Sequence, residues 1–193
     1  DRLIDENDRL WYNNAILQQI HEKMGMKTVK VDDFANCIYG DYITTSNKEY
    51  QELDDNTRIN KVLCEYLDEY NITFPSRMEL VFFQDAIYHV SRIARVLYQP
   101  RGNVLCVGVG GSGRKSLTRM ACFMASFQCK SIEITRGYGV NEFHEDLKQI
   151  LLLAGAKNTP SVFLFSDTQI VNETFLEDIN NILNSGEAPN LFE

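Results

Sequence analysis

The sequence predicts an α/β fold in which a parallel sheet with flanking helices is preceded by a helical segment. Residues 1–100 carry apolar residues mainly at helical spacing, whereas residues 101–193 alternate short apolar runs with helical patterns. The apolar runs are hydrophobic on both faces, which is typical of parallel strands covered by helices on either side. We therefore predict a helical segment over residues 1–74 and an α/β domain over residues 75–193.

Three helices are predicted in the first part of the chain. The first contains Trp11, which we expect to pack in the helix, and it ends by Gly25. The third lies between Pro75 and Pro100, and the second proline stops it. Residues 27–51 give no clear pattern. The apolar positions are Leu3, Leu10, Leu17 and Ile20 in the first helix, Ile59, Val62, Leu63, Tyr66, Leu67 and Tyr70 in the second, and Leu80, Phe83, Ile87, Val90, Ala94 and Leu97 in the third.

Three strands and three helices are predicted in the second part. The strands are residues 103–109, a segment alternating through Ile132 and Ile134, and the doubly apolar run 161–165. Gly155 and Gly186 should end the last two helices, as glycines commonly do. The helical positions are Leu117, Met120, Ala121 and Met124, then Phe143, Leu147, Ile150, Leu151 and Ala154, and finally Phe175, Leu176, Ile179, Ile182 and Leu183.

Charge and hydropathy exclude several functions. The net charge of −8 disfavours a general nucleic-acid binder, which needs clustered Lys and Arg. No run approaches the roughly 18–20 apolar residues of a membrane span. The first residues, DRLIDENDRLW, lack the basic start and apolar core of a signal peptide and read as if cut from a longer polypeptide. We expect neither a nucleic-acid nor a membrane partner.

The potential metal ligands are scattered. The five cysteines include no C-x-x-C pair and are Cys37, Cys64, Cys106, Cys122 and Cys129. A zinc site or disulfide framework has tighter spacing, so we expect reduced cysteines in a cytosolic-type compartment. His144 stands near Glu142 and Glu145 on a predicted helix, where a solvated face is favoured over a metal site. The pair Glu177 and Asp178 is expected to face solvent or a neighbouring module.

The candidate site is a glycine-rich turn between the first predicted strand of the second part and its helix. Strand, glycine turn, Lys–Ser and helix in that order are the context that a phosphate-binding P-loop requires. Glycines allow the backbone to wrap closely around a phosphate, and a helix N-terminus adds its positive dipole end. The candidate nucleotide-binding residues are Gly108, Val109, Gly110, Gly111, Ser112, Gly113, Arg114, Lys115, Ser116 and Leu117.

The match to G-x-x-x-x-G-K-[ST] is imperfect. Counting from Gly108 places Gly113 correctly but puts Arg114 at the lysine position and Lys115 at the hydroxyl position. Counting from one residue later loses both required glycines. Arginine binds phosphate bidentately, although its fork is bulkier than an ammonium group. The loop therefore favours nucleotide binding over efficient catalysis.

The strand over residues 161–165 is the candidate Walker B strand, which delivers an acid beside the phosphates. AAA+ ATPases end this strand in Asp-Glu, one acid for magnesium and one to polarise water, whereas this sequence has Ser166 and Asp167. Asp167 is the candidate catalytic acid, one methylene shorter than glutamate. Ser116 and Asp167 are the candidate magnesium ligands. Because Ser166 removes one charge, we expect an inefficient hydrolase.

Three segments together resemble the fourth AAA+ module of a dynein heavy chain. They are PRGNVLCVGVGGSGRKSLTR, VFLFSDTQI and FLEDINNILNSGEAPNLF. Arg114 and the Ser166–Asp167 ending are more similar to axonemal than to cytoplasmic heavy chains. The resemblance extends upstream through LVFFQDAIYHVSRIARVLYQPRG. It also reaches DRLIDENDRLW, which is similar to the closing segment of the preceding module's small helical subdomain.

The resemblance implies a part of an ATP-driven, minus-end-directed microtubule motor with a ring of six AAA+ modules. In that family the first module is the main hydrolytic site, and the second to fourth bind nucleotide in regulatory or structural roles. It implies ATP or ADP, with magnesium, as ligands. It also implies neighbouring modules, the microtubule through the stalk, and intermediate and light chains as partners. The implied location is the cytoplasm and cytoskeleton, in the axoneme of cilia and flagella.

Two alternatives remain beside a weakly hydrolytic, nucleotide-binding module. One is an active ATPase that uses Lys115, Ser116 and Asp167 in an unconventional register. The other is a structural wedge that has lost nucleotide altogether. A small-molecule kinase would need a substrate pocket and lid that the sequence does not offer. The resemblance places the sensor residue, the helical lid and the stalk beyond Glu193.

Overall fold

The computed structural model describes residues 3, 5–35, 37–44, 48–189 and 191–192, which form helices and short strands. The helices are α1 (Glu6–Lys23), α2 (Asp32–Ala35), α3 (Asn56–Thr73), α4 (Gln84–Leu97), α5 (Arg114–Met124), α6 (Val140–Gly155) and α7 (Glu173–Ser185). The strands are β1 (Tyr39–Gly40), β2 (Gln51–Glu52), β3 (Gln128–Lys130) and β4 (Ser161–Phe163). Within these ranges no helix combines the length and hydrophobicity that a membrane span requires.

Helix α1 ends before Gly25, as predicted, but it buries none of its residues. The Asp5 carboxylate caps it by accepting a hydrogen bond from the Asn7 N–H at 3.0 Å. The side chain of Trp11 is 72% exposed, so the prediction that it packs in the helix is wrong. Leu10, Trp11 and Tyr12 are consecutive and therefore point to different sides of the helix. The half-buried apolar residues Ile16, Leu17 and Ile20 share one side of α1, at helical spacing.

Helices α3, α4 and α5 enclose the first hydrophobic core. Its buried residues are Ile38, Tyr42, Leu53, Ile59, Leu63, Tyr70, Met78, Phe82, Ala86, Ile87, Val90, Ile93, Ala94, Leu117, Met120, Ala121 and Met124. Inside this core the Tyr42 and Ser91 hydroxyls are hydrogen-bonded at 2.7 Å. This core contains α3, which precedes residue 75, and α4 and α5, which follow it. The predicted domain boundary at residue 75 stays a prediction.

Helix α4 begins at Gln84 and not soon after Pro75, so the predicted helical positions Leu80 and Phe83 are wrong. Side chains of α3 bind the intervening backbone instead. The Asn71 amide exchanges two hydrogen bonds with the backbone of Met78, and the Asn60 amide donates to the Phe82 carbonyl at 2.7 Å. Backbone groups held in this way are diverted from helical bonding. As a result Phe82 is buried and Phe83 is exposed.

Strands β3 and β4 pair in parallel, with Gln128 opposite Ser161 and Lys130 opposite Phe163. The parallel sheet is therefore confirmed, as two paired strands flanked by helices. The predicted strand through Ile132 and Ile134 is displaced, because β3 begins at Gln128 and ends at Lys130. Ile132 is still buried, whereas Ile134 is more than one-third exposed. Strands β1 and β2 form a separate antiparallel pair.

Residues 103–109 are not paired as a strand, which overturns that prediction. The side chains of Leu105, Val107 and Val109 are exposed by 89%, 85% and 78%. In the described ranges no neighbouring strand meets the backbone of residues 103–108. An apolar run becomes a strand only when a partner satisfies its backbone groups, so hydrophobicity alone misled the prediction.

The second core lies between β4, α6 and α7. Its centre is the stacked pair Phe143 and Phe175, with ring centroids 4.1 Å apart. Both helices match their predictions, and Gly186 ends α7 in the left-handed conformation. His144 does not face only solvent, because its Nε2 lies 2.8 Å from the Oδ2 of Asp178. Asp178 is itself buried, so its predicted exposed position is wrong.

Candidate functional site

The glycine-rich turn leads directly into α5, as predicted. Gly111 and Gly113 both have a φ of +77°, in the left-handed region that suits glycine. The Ser112 N–H donates to the Val109 carbonyl at 3.3 Å, which closes the turn. The Leu117 N–H donates to the Gly113 carbonyl at 2.8 Å and starts the helix. A side chain at either left-handed position would strain the backbone, so these two glycines fix the shape of the loop.

Several backbone N–H groups of the turn have no hydrogen-bond acceptor among the described residues. They belong to Gly110, Gly111, Gly113, Arg114, Lys115 and Ser116. Three of them form the first turn of α5, where an α-helix leaves its N–H groups unpaired. The positive end of the helix dipole lies at the same place. This is an arrangement that suits an anion such as a phosphate group.

The side chain of Arg114 lies across the turn. Its Nη2 donates to the Val109 carbonyl at 3.2 Å, so the guanidinium of the first helical residue reaches back over the loop. The Arg114 carbonyl in turn accepts a hydrogen bond from the Thr118 hydroxyl at 2.9 Å. Arginine therefore lies against the loop at the position where the P-loop pattern has lysine.

The other residues of the turn differ in exposure. Lys115 is exposed, Ser116 is half-buried in the first turn of α5, and Leu117 is buried in the first core. The described residues Gly108–Gly111 are exposed. The exposed residues 108–111 therefore lead into a helix that Leu117 holds in the first core. Burial of Leu117 fixes the helical end of the loop, and the exposed residues are accessible to a ligand.

Strand β4 stops at Phe163, two residues before the end of the predicted strand, and the segment after it, called the end of β4 below, carries Ser166 and a short 3₁₀ turn over Asp167–Gln169. The Ser166 hydroxyl is hydrogen-bonded to the side chains of Thr168 and Gln169, both at 3.0 Å. The exposed Asp167 carboxylate accepts from the Thr168 N–H at 2.9 Å. Both side chains therefore already have local partners.

Gln169 was missed by the sequence predictions. Its buried amide accepts from the Ser166 N–H at 2.7 Å and donates to the Ser131 hydroxyl at 3.0 Å and to the Ile132 carbonyl. It thus holds the end of β4 against the segment that follows β3. The spacing Ser-x-x-Gln from Ser166 to Gln169 is that of a capping box, a signal that could have identified it.

The loop and the end of β4 are not joined directly. In the described part of the chain no hydrogen bond or salt bridge links residues 108–117 to Ser166 or Asp167. The same part contains no cluster of three or more His, Cys, Asp or Glu side chains able to hold a metal ion. Ser116 and Asp167 thus offer one hydroxyl and one carboxylate from separate elements.

Comparison with known proteins relates the sequence to one family. A family model described as the P-loop containing dynein motor region D4 matches residues 78–193. The whole chain is 48% identical to human dynein axonemal heavy chain 6 and 47% identical to rat dynein axonemal heavy chain 1. It is 46% identical to the dynein-1-beta heavy chain of the flagellar inner arm I1 complex of Chlamydomonas reinhardtii.

The chain is much shorter than these relatives. It spans 5% of the length of the human protein and 4% of the rat and algal proteins. The family match covers the glycine-rich turn, α5, the parallel sheet and the 3₁₀ turn.

Proposed function

The chain belongs to the dynein heavy-chain family, in its motor region D4, and on that premise we propose that it is a nucleotide-binding AAA+ module with weak or no ATP hydrolysis. The observation that carries the proposal is the turn before α5. Its left-handed glycines, its unpaired N–H groups and the guanidinium of Arg114 lie together at a helix N-terminus. These groups suit the phosphates of ATP or ADP.

The hydrogen-bond donors of the turn suit the binding of phosphate oxygens better than they suit catalysis. Glycine φ angles leave the backbone approachable, and Arg114 adds a forked cation to the dipole of α5. Val109 and Ser112 shape the turn through their backbone bond, while Lys115 and Ser116 add a second cation and a hydroxyl. A nucleotide would supply the transferable phosphate, and the chain would hold it.

Weak hydrolysis is proposed from the end of β4. Ser166 replaces the first Walker B carboxylate, and its hydroxyl is engaged by Thr168 and Gln169. Asp167 is the one acid at this point and accepts a hydrogen bond from the next residue. For a magnesium ion that accompanies the nucleotide, Ser116 and Asp167 would be the oxygen ligands. One carboxylate supports metal binding and water activation less well than two.

The wider role is proposed from the relatives, which are axonemal and flagellar inner-arm heavy chains. We place the parent heavy chain in the cytoskeleton of the ciliary axoneme, within the cytoplasm, as a microtubule motor. Its partners there would be neighbouring AAA+ modules, the microtubule, and intermediate and light chains. This module would regulate or support the ring and not drive it.

Nucleotide binding is tested by exchanging Arg114 for alanine in the full heavy chain. Losing a charge-assisted hydrogen bond of about 1.5–3 kcal/mol should weaken ADP binding at this loop roughly 10- to 100-fold. Hydrogen exchange of the loop peptide, measured against ADP concentration, gives the affinity of this site alone. Arg136→Ala, which removes an exposed arginine elsewhere, is the matched control.

The outcomes separate the three functions. Protection of residues 108–117 by ADP that needs roughly 10- to 100-fold more ADP in Arg114→Ala, and the same ADP concentration in Arg136→Ala, supports the proposal. No protection at millimolar ADP contradicts it and supports a nucleotide-free wedge. Phosphate release from a heavy chain whose other modules are disabled, abolished by Asp167→Asn, would instead support an active ATPase.

A further inference from the structure

Gly110 is a glycine that the fold itself does not require. At Gly102 an added Cβ would collide with the Val96 carbonyl oxygen, and Gly111 and Gly113 have a left-handed φ that other residues adopt only with strain. The φ of Gly110 lies outside the left-handed region. Apart from its two chain neighbours, no atom of the described residues lies within 4 Å of the position that its Cβ would occupy. The folded chain would therefore accept an alanine at residue 110 without strain or collision.

The loop is covered at Gly108, in contrast to Gly110. A Cβ at Gly108 would lie 3.0 Å from the Ser112 hydroxyl oxygen, and 3.6 Å and 3.8 Å from the Cδ and Nε atoms of Arg114. The Arg114 side chain thus lies against Gly108 before its Nη2 reaches the Val109 carbonyl. One part of the loop is therefore filled by the arginine, and the part at Gly110 is open.

The open part of the loop also carries unpaired hydrogen-bond donors. The backbone N–H groups of Gly110, Gly111 and Gly113 have no acceptor among the described residues. A Cβ at any of these three positions would have none of the described atoms within 4 Å outside its chain neighbours. An anion held by several successive N–H groups lies close against the backbone, where a side chain would compete with it for space. Open space and free donors thus coincide at one end of the loop.

The arginine at residue 114 makes this space more important. A guanidinium is a planar fork, wider than the compact ammonium of a lysine, and here its stem already fills the part of the loop at Gly108. A phosphate group that is bound by the fork and by the free N–H groups must therefore lie toward Gly110. Any side chain at residue 110 would reduce the space left for it.

We propose that Gly110 is a specificity-determining residue of the phosphate site and is matched to Arg114. The space left by its missing side chain is the space that a phosphate group of a nucleoside diphosphate enters. This inference rests on the proposed nucleotide-binding function and adds a steric requirement to it. It also gives a reason for glycine at a position that neither the φ angle nor the packing of the chain explains.

Gly110→Ala in the full heavy chain tests the inference. Hydrogen exchange of the loop peptide, measured against ADP concentration, should show half-protection at roughly 10-fold more ADP than in wild type, because the methyl group overpacks the space of the phosphate. Without ADP the loop should exchange as in wild type. Gly155→Ala, at the last residue of α6, is the matched control, because a Cβ there also has no described atom within 4 Å outside its chain neighbours. Its ADP dependence should not change.

A second substitution tests the match with Arg114. Because a lysine ammonium is more compact than the guanidinium, Gly110→Ala should change ADP binding much less when Arg114→Lys is also present. An equal effect of Gly110→Ala in the arginine and lysine backgrounds overturns the match.

The remaining outcomes are also decisive. The inference is overturned if Gly110→Ala binds ADP as wild type does, or if its loop exchanges faster without ADP, since the fold itself would then require the glycine. If ADP fails to protect the wild-type loop, the nucleotide-binding proposal fails as well. The wild-type measurement therefore distinguishes the failure of the proposed function from the failure of this inference alone.

Discussion

At the scale of single residues, the buried amide of Gln169 forms hydrogen bonds where the pairing of β3 and β4 has ended. Beyond Lys130, the described residues show one further bond between the two strand segments, from the Leu164 N–H to the Lys130 carbonyl at 2.7 Å. Gln169 then binds the Ser131 hydroxyl and the Ile132 carbonyl, and accepts from the Ser166 N–H. The position of Asp167 therefore depends on a side chain two residues further along the chain.

Gln169→Leu should destabilise the chain, because it leaves the Ser166 N–H and the Ile132 carbonyl without partners. An unsatisfied buried polar group costs about 1–3 kcal/mol, so the free energy of unfolding should fall by at least that amount. Urea unfolding of the 193-residue chain, followed by circular dichroism, measures the change. The exposed neighbour Thr168, changed to alanine, should alter stability by less than about 0.5 kcal/mol. Equal effects of the two substitutions would contradict this role for Gln169.

At the scale of elements, α6 depends on a titratable cap. The Glu142 carboxylate accepts a hydrogen bond from the Gly139 N–H at 2.9 Å, and the Phe143 N–H donates to the Gly139 carbonyl at 3.1 Å. Hydrogen bonds from its own N–H and from that of Gly139 lower the pKa of Glu142 below the ordinary value of 4.5. A carboxylate at a helix N-terminus also interacts favourably with the helix dipole.

The cap should make the stability of the chain depend on pH. Because the folded-state pKa of Glu142 is depressed, its contribution is present above the ordinary glutamate pKa and is lost as pH falls through the folded value. Glu142→Gln should therefore be less stable than wild type at pH 7, with the difference vanishing in acid. Urea unfolding across pH checks this. Glu145→Gln, which breaks an exposed pair with Lys148, is the control and should change little. A pH-independent difference for Glu142→Gln would contradict the assignment.

The elements also show where sequence patterns succeed. The helices α3, α5, α6 and α7 were predicted because their apolar residues recur on one face, and the core confirms that face through residues such as Leu63 and Phe143. The glycine turn was predicted because only glycine adopts the left-handed angles of Gly111 and Gly113 without strain. These features are local, so the nearby sequence specifies them.

The errors concern contacts between distant residues. The start of α4 depends on Asn60 and Asn71 binding a backbone segment up to 22 residues away. The end of β3 depends on Gln169, which lies 37 residues from Ile132. Residues 103–109 have the composition of a strand, but composition carries no information about the partner that pairing requires. The local pattern could not predict these long-range hydrogen bonds.

At the scale of the whole molecule, the described chain has two separate hydrophobic cores. The first lies among α3, α4 and α5, and the second lies between the sheet, α6 and α7. Helix α5 of the first core lies next to β3, which follows it after the turn through Ser126. Segments with separate cores open as separate cooperative units when their interface is small.

Phe143→Ala should destabilise the second hydrophobic core and leave the first unchanged. Removing a fully buried phenylalanine costs about 3–5 kcal/mol, and the lost stack with Phe175 belongs to the second core only. Hydrogen exchange followed by mass spectrometry should show faster exchange in α6 and α7, with α3 and α4 unchanged. Val90→Ala, at a fully buried position of the first core, should produce the reverse pattern. Faster exchange in all four helices of either variant would show a single cooperative unit.

The length of helix α5 and the contacts at its two ends have a mechanical consequence. It is a rod of eleven residues, about 16 Å long, that begins at the glycine turn. Near its far end the ring of Phe123 contacts Tyr66, Tyr70 and Phe74 edge-on. A rod of this length resists bending, so a tilt imposed at the turn is carried to that aromatic cluster as a displacement. A tilt of α5 at the turn would therefore move Phe123 against Tyr66 and Tyr70 of α3.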